Sequence, residues 1–310
     1  MKRKVSKIGP TTLMVSLPAR WVRTNNIKKG DELNLVTSSK DITFSLDKTS
    51  QKKKEISLDI SSFDRKMIVR YIELLYINNY TKIKLHYNTD IEYNHRYKKM
   101  ESRRKRIKEL THRFIGMEII SQTSNSCEIK CFLNEKDQNL KKIERRIFVL
   151  MNDMMDEIIS CLDEKEKKIL SPMIDQHDNI AKFIAYYLRV LNNSEISDEK
   201  KLQLFSFYMA IDRMVDKIVH VADVIEKKGI TRKAKKDIVP FFDFLKKLIV
   251  SLEKGKIEED IIKERYKLER KIESSDYTHK EFAVMSTVAS ILDILKDFMR
   301  VILIENFEQS

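Results

Sequence analysis

Apolar and polar positions alternate through the first 46 residues. Side chains two apart share a strand face, so Lys4-Val5-Ser6-Lys7-Ile8 and 12–17 read as strands around a Gly9-Pro10 turn. Pro18 opens a short helix over 19–25, and Lys28-Lys29-Gly30-Asp31 turns the chain into two more strands, 32–36 and 41–46. Residues 48–54 read as a polar linker. The next segment mixes periods: a strand from Ile56, a helix over 65–79 with Ile68, Tyr71, Ile72 and Leu75 inward, and a strand over 82–87. A basic helix over 94–113 and strands over 117–121 and 128–132 complete it. From Leu140 the pattern is helical, with helices at 139–163, 172–193, 197–228, 232–254, 256–275 and 278–307. Pro172, Gly229, Pro240 and Gly255 fall at or near their boundaries. Six helices in two sets of three predict tandem three-helix bundles.

The fold class predicted is multidomain α+β, in three parts: an amino-terminal domain over 1–48, a small α/β middle domain over 55–135, and a helical domain over 139–310. The helical bundles are placed at 139–228 and 232–310.

Charge sharpens this picture. The chain has 310 residues and a formal net charge of +13. Residues 1–30 contain eight Lys or Arg and no acid. Residues 94–113 carry nine Lys or Arg against Glu101 and Glu109, and the remainder is slightly acidic. Two local anion-binding surfaces fit this distribution better than general stickiness. A cationic surface on an ordered module suits duplex DNA, because each neutralised phosphate releases counterions. Lys2, Arg3, Lys4, Lys7, Arg20 and Arg23 are the candidate DNA contacts. In the second basic segment, the run Arg103-Arg104-Lys105-Arg106 circles its helix, which favours a solvated face over a shaped pocket; phosphate contacts, an acidic partner and pairing with the acidic bundles are the alternatives.

Other classes have little support. Cys127, Cys131 and Cys161 are too few for a disulfide framework, and Cys127 with Cys131 on one strand face suits buried thiols better than zinc. No apolar run reaches the ~20 residues needed to span a bilayer, and the strand-patterned start predicts no leader. A cytoplasmic protein is expected. Phosphate loops, nucleophile elbows and metalloprotease helices are missing from the sequence, so no enzyme is predicted.

The helical region carries one repeated acidic feature. Asp212 and Asp216, and again Asp293 and Asp297, are i,i+4 pairs in the third helix of each set. That spacing stacks two carboxylates on one helix face, beside the apolar stripes of Ile211, Met214, Val215 and Ile218, and of Leu292, Leu295 and Met299. A divalent or iron-type metal could sit between such carboxylates; solvated or Lys-paired acids are the plainer alternative. His220 extends the first row at i+4 from Asp216.

Two family resemblances follow from particular strings. Lys4-Val-Ser-Lys-Ile-Gly9, Leu13-Met-Val-Ser-Leu-Pro18, Trp21-Val-Arg23 and Lys29-Gly-Asp31 resemble the AbrB/SpoVT-type swapped-hairpin DNA-binding domain. The resemblance implies that two chains interleave into one β-barrel that grips DNA, with Arg3 and Arg23 carried over by position. Met209-Ala-Ile-Asp212-Arg213-Met-Val-Asp216 and Ser290-Ile-Leu-Asp293-Ile-Leu-Lys296-Asp297 resemble the third-helix motif of the PhoU family of phosphate-uptake regulators. Tyr187-Leu-Arg189-Val-Leu191 is similar to its second-helix segment. The strings starting at Arg70 and Phe114 resemble archaeal proteins joining both domains. Where that family places further acids, this chain has His177 and Ala181 in the first repeat and Glu264 and Leu268 in the second. His177 and Glu264 are therefore added as candidate ligands.

Together these readings predict a DNA-binding transcriptional regulator of phosphate uptake, a homodimer or higher homo-oligomer, with the helical bundles as sensor or docking module. A signalling adaptor acting on a phosphate transporter or kinase is the alternative. An antitoxin-like regulator is the third.

Overall fold

The computed structural model describes residues 2–37, 42–46, 54–94, 98–133, 139–162, 169–194, 196–254 and 259–309. The chain divides into two compact units, residues 1–53 and 54–310.

The first unit holds two antiparallel hairpins and a short helix. β1 (Val5–Ile8) pairs with β2 (Thr12–Val15), and Val5 lies opposite Val15 and Lys7 opposite Leu13. Gly9 closes this hairpin at φ +79°, a conformation that residues with a Cβ rarely adopt. α1 (Ala19–Thr24) follows Pro18, and β3 (Leu33–Thr37) pairs with β4 (Ile42–Leu46). None of the described residues of this unit is fully buried; Leu17, Trp21, Val22, Ile27, Leu33 and Leu46 are half-buried. The resemblance implies a closed barrel. Among the described residues, one chain supplies two separate two-stranded sheets and no closure.

The second unit joins an α/β layer to the helices. β5 (Lys54–Asp59) runs parallel to β6 (Tyr80–His86), with α2 (Arg65–Ile77) as the crossover. β9 (Met117–Gln122) and β10 (Ser126–Cys131) complete a sheet of order β5-β6-β10-β9, antiparallel beyond β6. Ile68 and Ile72 of α2, with Ile83, Leu85 and Ile129 of the sheet, are fully buried. Tyr71, expected inward, is 41% exposed and stacks on Phe63 at 4.8 Å instead. All three cysteines are buried free thiols.

The basic segment differs from the single helix expected over 94–113. β7 (Ile91–Asn94) and β8 (Lys99–Ser102) form a ribbon, and α3 (Arg103–Thr111) begins only after Ser102. The Ser102 hydroxyl accepts from the Lys105 N–H, and the Asp90 carboxylate accepts from the Arg104 N–H. These caps satisfy orphan donors of the first turn and fix where the helix starts.

Six long helices follow: α4 (Leu140–Cys161), α5 (Leu170–Asn193), α6 (Asp198–Lys228), α7 (Arg232–Glu253), α8 (Glu259–Glu273) and α9 (His279–Gln309). Side chains of Asn139, Ser197 and Thr231 cap α4, α6 and α7, and Gly229 at φ +74° ends α6. Pro240 lies inside α7. α6 packs against both α5 and α9, and α4 against α5 and α7, so the two sets of helices share a continuous core. Among the described residues no helix is long and apolar enough to cross a membrane.

Candidate nucleic-acid interface and acidic cluster

The six amino-terminal cations occupy β1, its lead-in and α1. Lys2, Arg3, Lys4, Lys7, Arg20 and Arg23 are all exposed, and among the described residues none has a carboxylate within ion-pair distance. Arg20 and Arg23 are one turn apart on α1, which places both charges on one helix face. The nearest acid in sequence, Asp31, accepts from the Lys28 backbone N–H at 2.7 Å and so closes the turn before β3. Among the described residues, these six cations therefore carry no ion-pair partner.

The second basic segment behaves oppositely. Arg104 pairs with Asp90 at 3.0 Å, Lys99 with Glu101 at 3.1 Å, and Arg113 with Asp178 of α5 at 2.5 Å. Arg103 and Arg106, expected on a solvated face, are buried beside Glu92 and Glu109. Arg96 lies outside the described residues. Much of the charge that the sequence assigns to a surface is consumed inside the fold.

The acidic pairs also differ from one another. In the first set, His177 on α5 stands between two carboxylates: its Nδ1 is 3.1 Å from Asp178 and its Nε2 is 2.9 Å from Asp216 on α6. Hydrogen bonds to Asp178 and then Asp216 raise the imidazole to about 9, so both nitrogens donate at neutral pH. Burial pushes the Asp178 carboxyl up, but His177 and Arg113 outweigh it and hold it below its ordinary value. Burial, then the Asp216 and Glu73 charges, push Asp212 up to about 6. His220 is exposed one turn further along α6.

In the second set, lysines fill the corresponding role. Lys296 reaches Asp293 at 2.8 Å and Glu269 at 2.6 Å, and Lys247 reaches Glu264 at 2.8 Å. The Asp297 side chain lies outside the described residues. Among the described residues no group of three or more His, Cys, Asp or Glu is placed to hold a metal ion. Among the described residues, the positive charge beside these carboxylates comes from the His177 imidazole and from the Lys247 and Lys296 ammonium groups.

Arg113, Asp178, Arg70 and Glu73 complete the first cluster, and sequence reading did not single them out. Arg113 and Asp178 belong to different layers of the fold, and nothing local to either string signals the pairing.

Residues 7–43, from β1 to β4, match the family described as "Antidote-toxin recognition MazE, bacterial antitoxin". The match supports the resemblance of this unit to swapped-hairpin DNA-binding domains, a type found in DNA-binding and antitoxin-like regulators. It does not extend into residues 54–310. No curated protein and no solved structure matches the chain.

Proposed function

We propose that the chain is a dimeric, sequence-specific DNA-binding regulator whose amino-terminal unit holds operator DNA and whose helical region reports phosphate status. The family match over residues 7–43, together with an acid-free stretch over 1–30 whose six exposed cations have no ion-pair partner among the described residues, carries the reading. Dimerisation is supported by the β3–β4 hairpin: Leu33, Leu35, Ile42, Phe44 and Leu46 share one face by register, and Leu35, Ile42 and Phe44 are 52%, 62% and 43% exposed. A second chain interleaved on this face would give the unit the core that one copy lacks. A ligand or partner favouring one helical arrangement would act by population shift, changing the spacing of the paired DNA-binding units.

The PhoU-like reading of the helices rests on the Asp212/Asp216 and Asp293/Asp297 motifs and on the six-helix order. A metal at Asp212 and Asp216 belongs to it only as a replacement for the His177 proton. Elemental analysis of the protein beside Asp212→Asn tests this; equal, negligible metal in both removes it.

Fluorescence anisotropy of the full chain on duplex DNA, read against salt, tests the main proposal. Arg3→Ala, Lys4→Ala and Arg23→Ala should each lower the salt slope by about 1. Unchanged slopes remove the proposed DNA face. Equal affinity for random and upstream promoter DNA would favour the adaptor reading, in which the helices dock on a transporter or kinase.

The family description itself favours a second reading, an antitoxin-like regulator that also binds a small toxin. Rescue of growth on co-expression with a toxin from a neighbouring gene would support it.

A further inference from the structure

α2 carries an apolar stripe that the fold leaves uncovered. Met67, Tyr71 and Leu74 recur at i, i+4 and i+7 on one helix face, and are 41%, 41% and 53% exposed. The contacts of the other flanks fix where that face lies. Ile68 and Ile72 are buried against the sheet, Arg65 reaches Glu101 of β8, and the Tyr76 hydroxyl donates to the Ile115 carbonyl just before β9. β9 is the far end of the sheet from β5, so the stripe overhangs the opposite end, above β5. Phe63, half-buried in the turn between β5 and α2, lies against Tyr71 there.

β5 is open on that same side. Among the described residues it ends the sheet order, with β6 as its neighbour. The Ile60 N–H donates to the His86 carbonyl of β6; counting back by two, the backbone groups of Glu55, Ser57 and Asp59 point to the open edge. The register sets Ile56 beside Ile83 and Leu58 beside Leu85, on the helix side of the sheet, yet Ile56 and Leu58 are only half-buried. An open ladder and an apolar roof therefore run side by side.

The two features have different complements, and one occupant supplies both. A row of backbone N–H and C=O groups is complemented by another extended backbone, whereas a helix satisfies its own along its length. Apolar positions beneath α2 are complemented by every second side chain of that strand. A second copy of β5 fits poorly: antiparallel pairing about Ser57 would set Glu55 against Asp59, and pairing about Ile56 would set Lys54 against Leu58. We propose that the β5 edge and the α2 stripe bind an extended segment of a partner protein. It adds a fifth strand to the four-stranded sheet, with apolar side chains at alternate positions packed on Met67, Tyr71 and Leu74. The site lies in residues 55–74, outside the DNA-contact segment, so it stands or falls independently of DNA binding.

Random peptides of about twelve residues, displayed on phage and selected on the full chain, supply the probe; that length exceeds the about five to six residues of a typical strand. Enriched peptides should carry apolar residues at alternate positions. A synthetic copy of the consensus, followed by fluorescence anisotropy, should bind with a Kd of about 100 μM or tighter. N-methylation of every second amide should weaken it by about tenfold or more in one phase and little in the other, because one set of N–H groups faces β5. Tyr71→Ser with Leu74→Ser, both at exposed positions, should weaken it by about tenfold. Ser57→Pro removes an edge-facing N–H, which an edge strand tolerates, and should act likewise. Circular dichroism checks that each variant folds; if Ser57→Pro does not, the N-methylated peptides carry the test of the ladder. Failure to enrich any peptide, a consensus with apolar residues at helical spacing, equal effects of the two N-methyl phases, or unchanged binding by the Tyr71 and Leu74 double variant overturns the proposal. Self-association of the chain that the same double variant abolishes would identify a second copy as the occupant and overturns it too.

Discussion

Arg189 of α5 donates from a terminal guanidinium nitrogen to the Tyr76 carbonyl of α2 at 2.5 Å, while its guanidinium carbon lies 4.9 Å from the centroid of the Tyr76 ring. Arg189 is 2% exposed and Tyr76 fully buried. The contact ties the helical region to the α/β layer through a helix end. At the last turn of α2 the Asn79 N–H reaches the Tyr76 carbonyl at 3.1 Å, and Arg189 and Asn192 of α5 add donors to Tyr76 and Ile77 there. The cation also faces the negative end of the α2 dipole. Asn193 extends the seam by donating to the Asn79 side chain, whose backbone is left-handed at φ +66°.

Arg189→Met should therefore destabilise the second unit by about 1–3 kcal/mol, since it removes the charged donor shared by the Tyr76 and Tyr80 carbonyls. Arg189→Lys keeps the charge but not the forked geometry and should recover only part of that loss. Urea unfolding of both variants beside wild type measures the difference.

The end of α6 was legible in the sequence, because Gly229 is a local signal read without tertiary context, whereas Pro240, also taken as a boundary signal, lies inside α7. The β7–β8 ribbon was not. A run such as Arg103-Arg104-Lys105-Arg106 looks solvated when its charges are counted alone, and only Glu92, Asp90 and the ribbon itself bury part of it. The acidic pairs were visible as spacing, but their electrostatics depend on His177 and Arg113, which reach them from other elements. Position along the chain locates a carboxylate; the facing element decides its charge.

The His177 bridge makes stability depend on pH at the alkaline side. Its imidazole is raised from 6.5 to about 9 by Asp178 and Asp216. The stabilisation is then complete below about pH 6.5 and is lost as pH rises through about 9. Its size is about 1–3 kcal/mol, the lower part of that range favoured because the Asp216 side chain is 62% exposed and screened. His177→Gln should flatten the slope of melting temperature against pH between 7 and 10, a comparison that differential scanning fluorimetry supplies.

Asp212 has the opposite sign. Burial and the Asp216 and Glu73 charges raise its carboxyl to about 6, so its ionised form is strained at neutral pH. The penalty is present above about pH 6 and fades as pH falls toward the ordinary carboxyl value of 3.8. Asp212→Asn should accordingly stabilise the protein by about 1–2 kcal/mol at pH 7.5 and by little at pH 4.5. Chemical denaturation at the two pH values checks this, and equal effects at both would show that charge is not the cause.

The exposed face of the β3–β4 hairpin predicts coupling between assembly and DNA binding. Leu35 and Phe44 sit directly opposite each other, both more than two-fifths exposed, and the first unit has no fully buried described residue to hold it alone. A two-stranded hairpin is at best marginally stable in water without an apolar partner surface. Leu35→Ser with Phe44→Ser should convert the proposed dimer to a monomer, read by light scattering coupled to size-exclusion chromatography. Both positions lie away from the six cations in sequence, and the substitutions leave net charge unchanged. DNA affinity should nonetheless fall together with dimer content, because each chain then brings half of the phosphate contacts. A double variant that stays dimeric, or a monomer that binds duplex DNA as tightly as wild type, would separate assembly from DNA recognition.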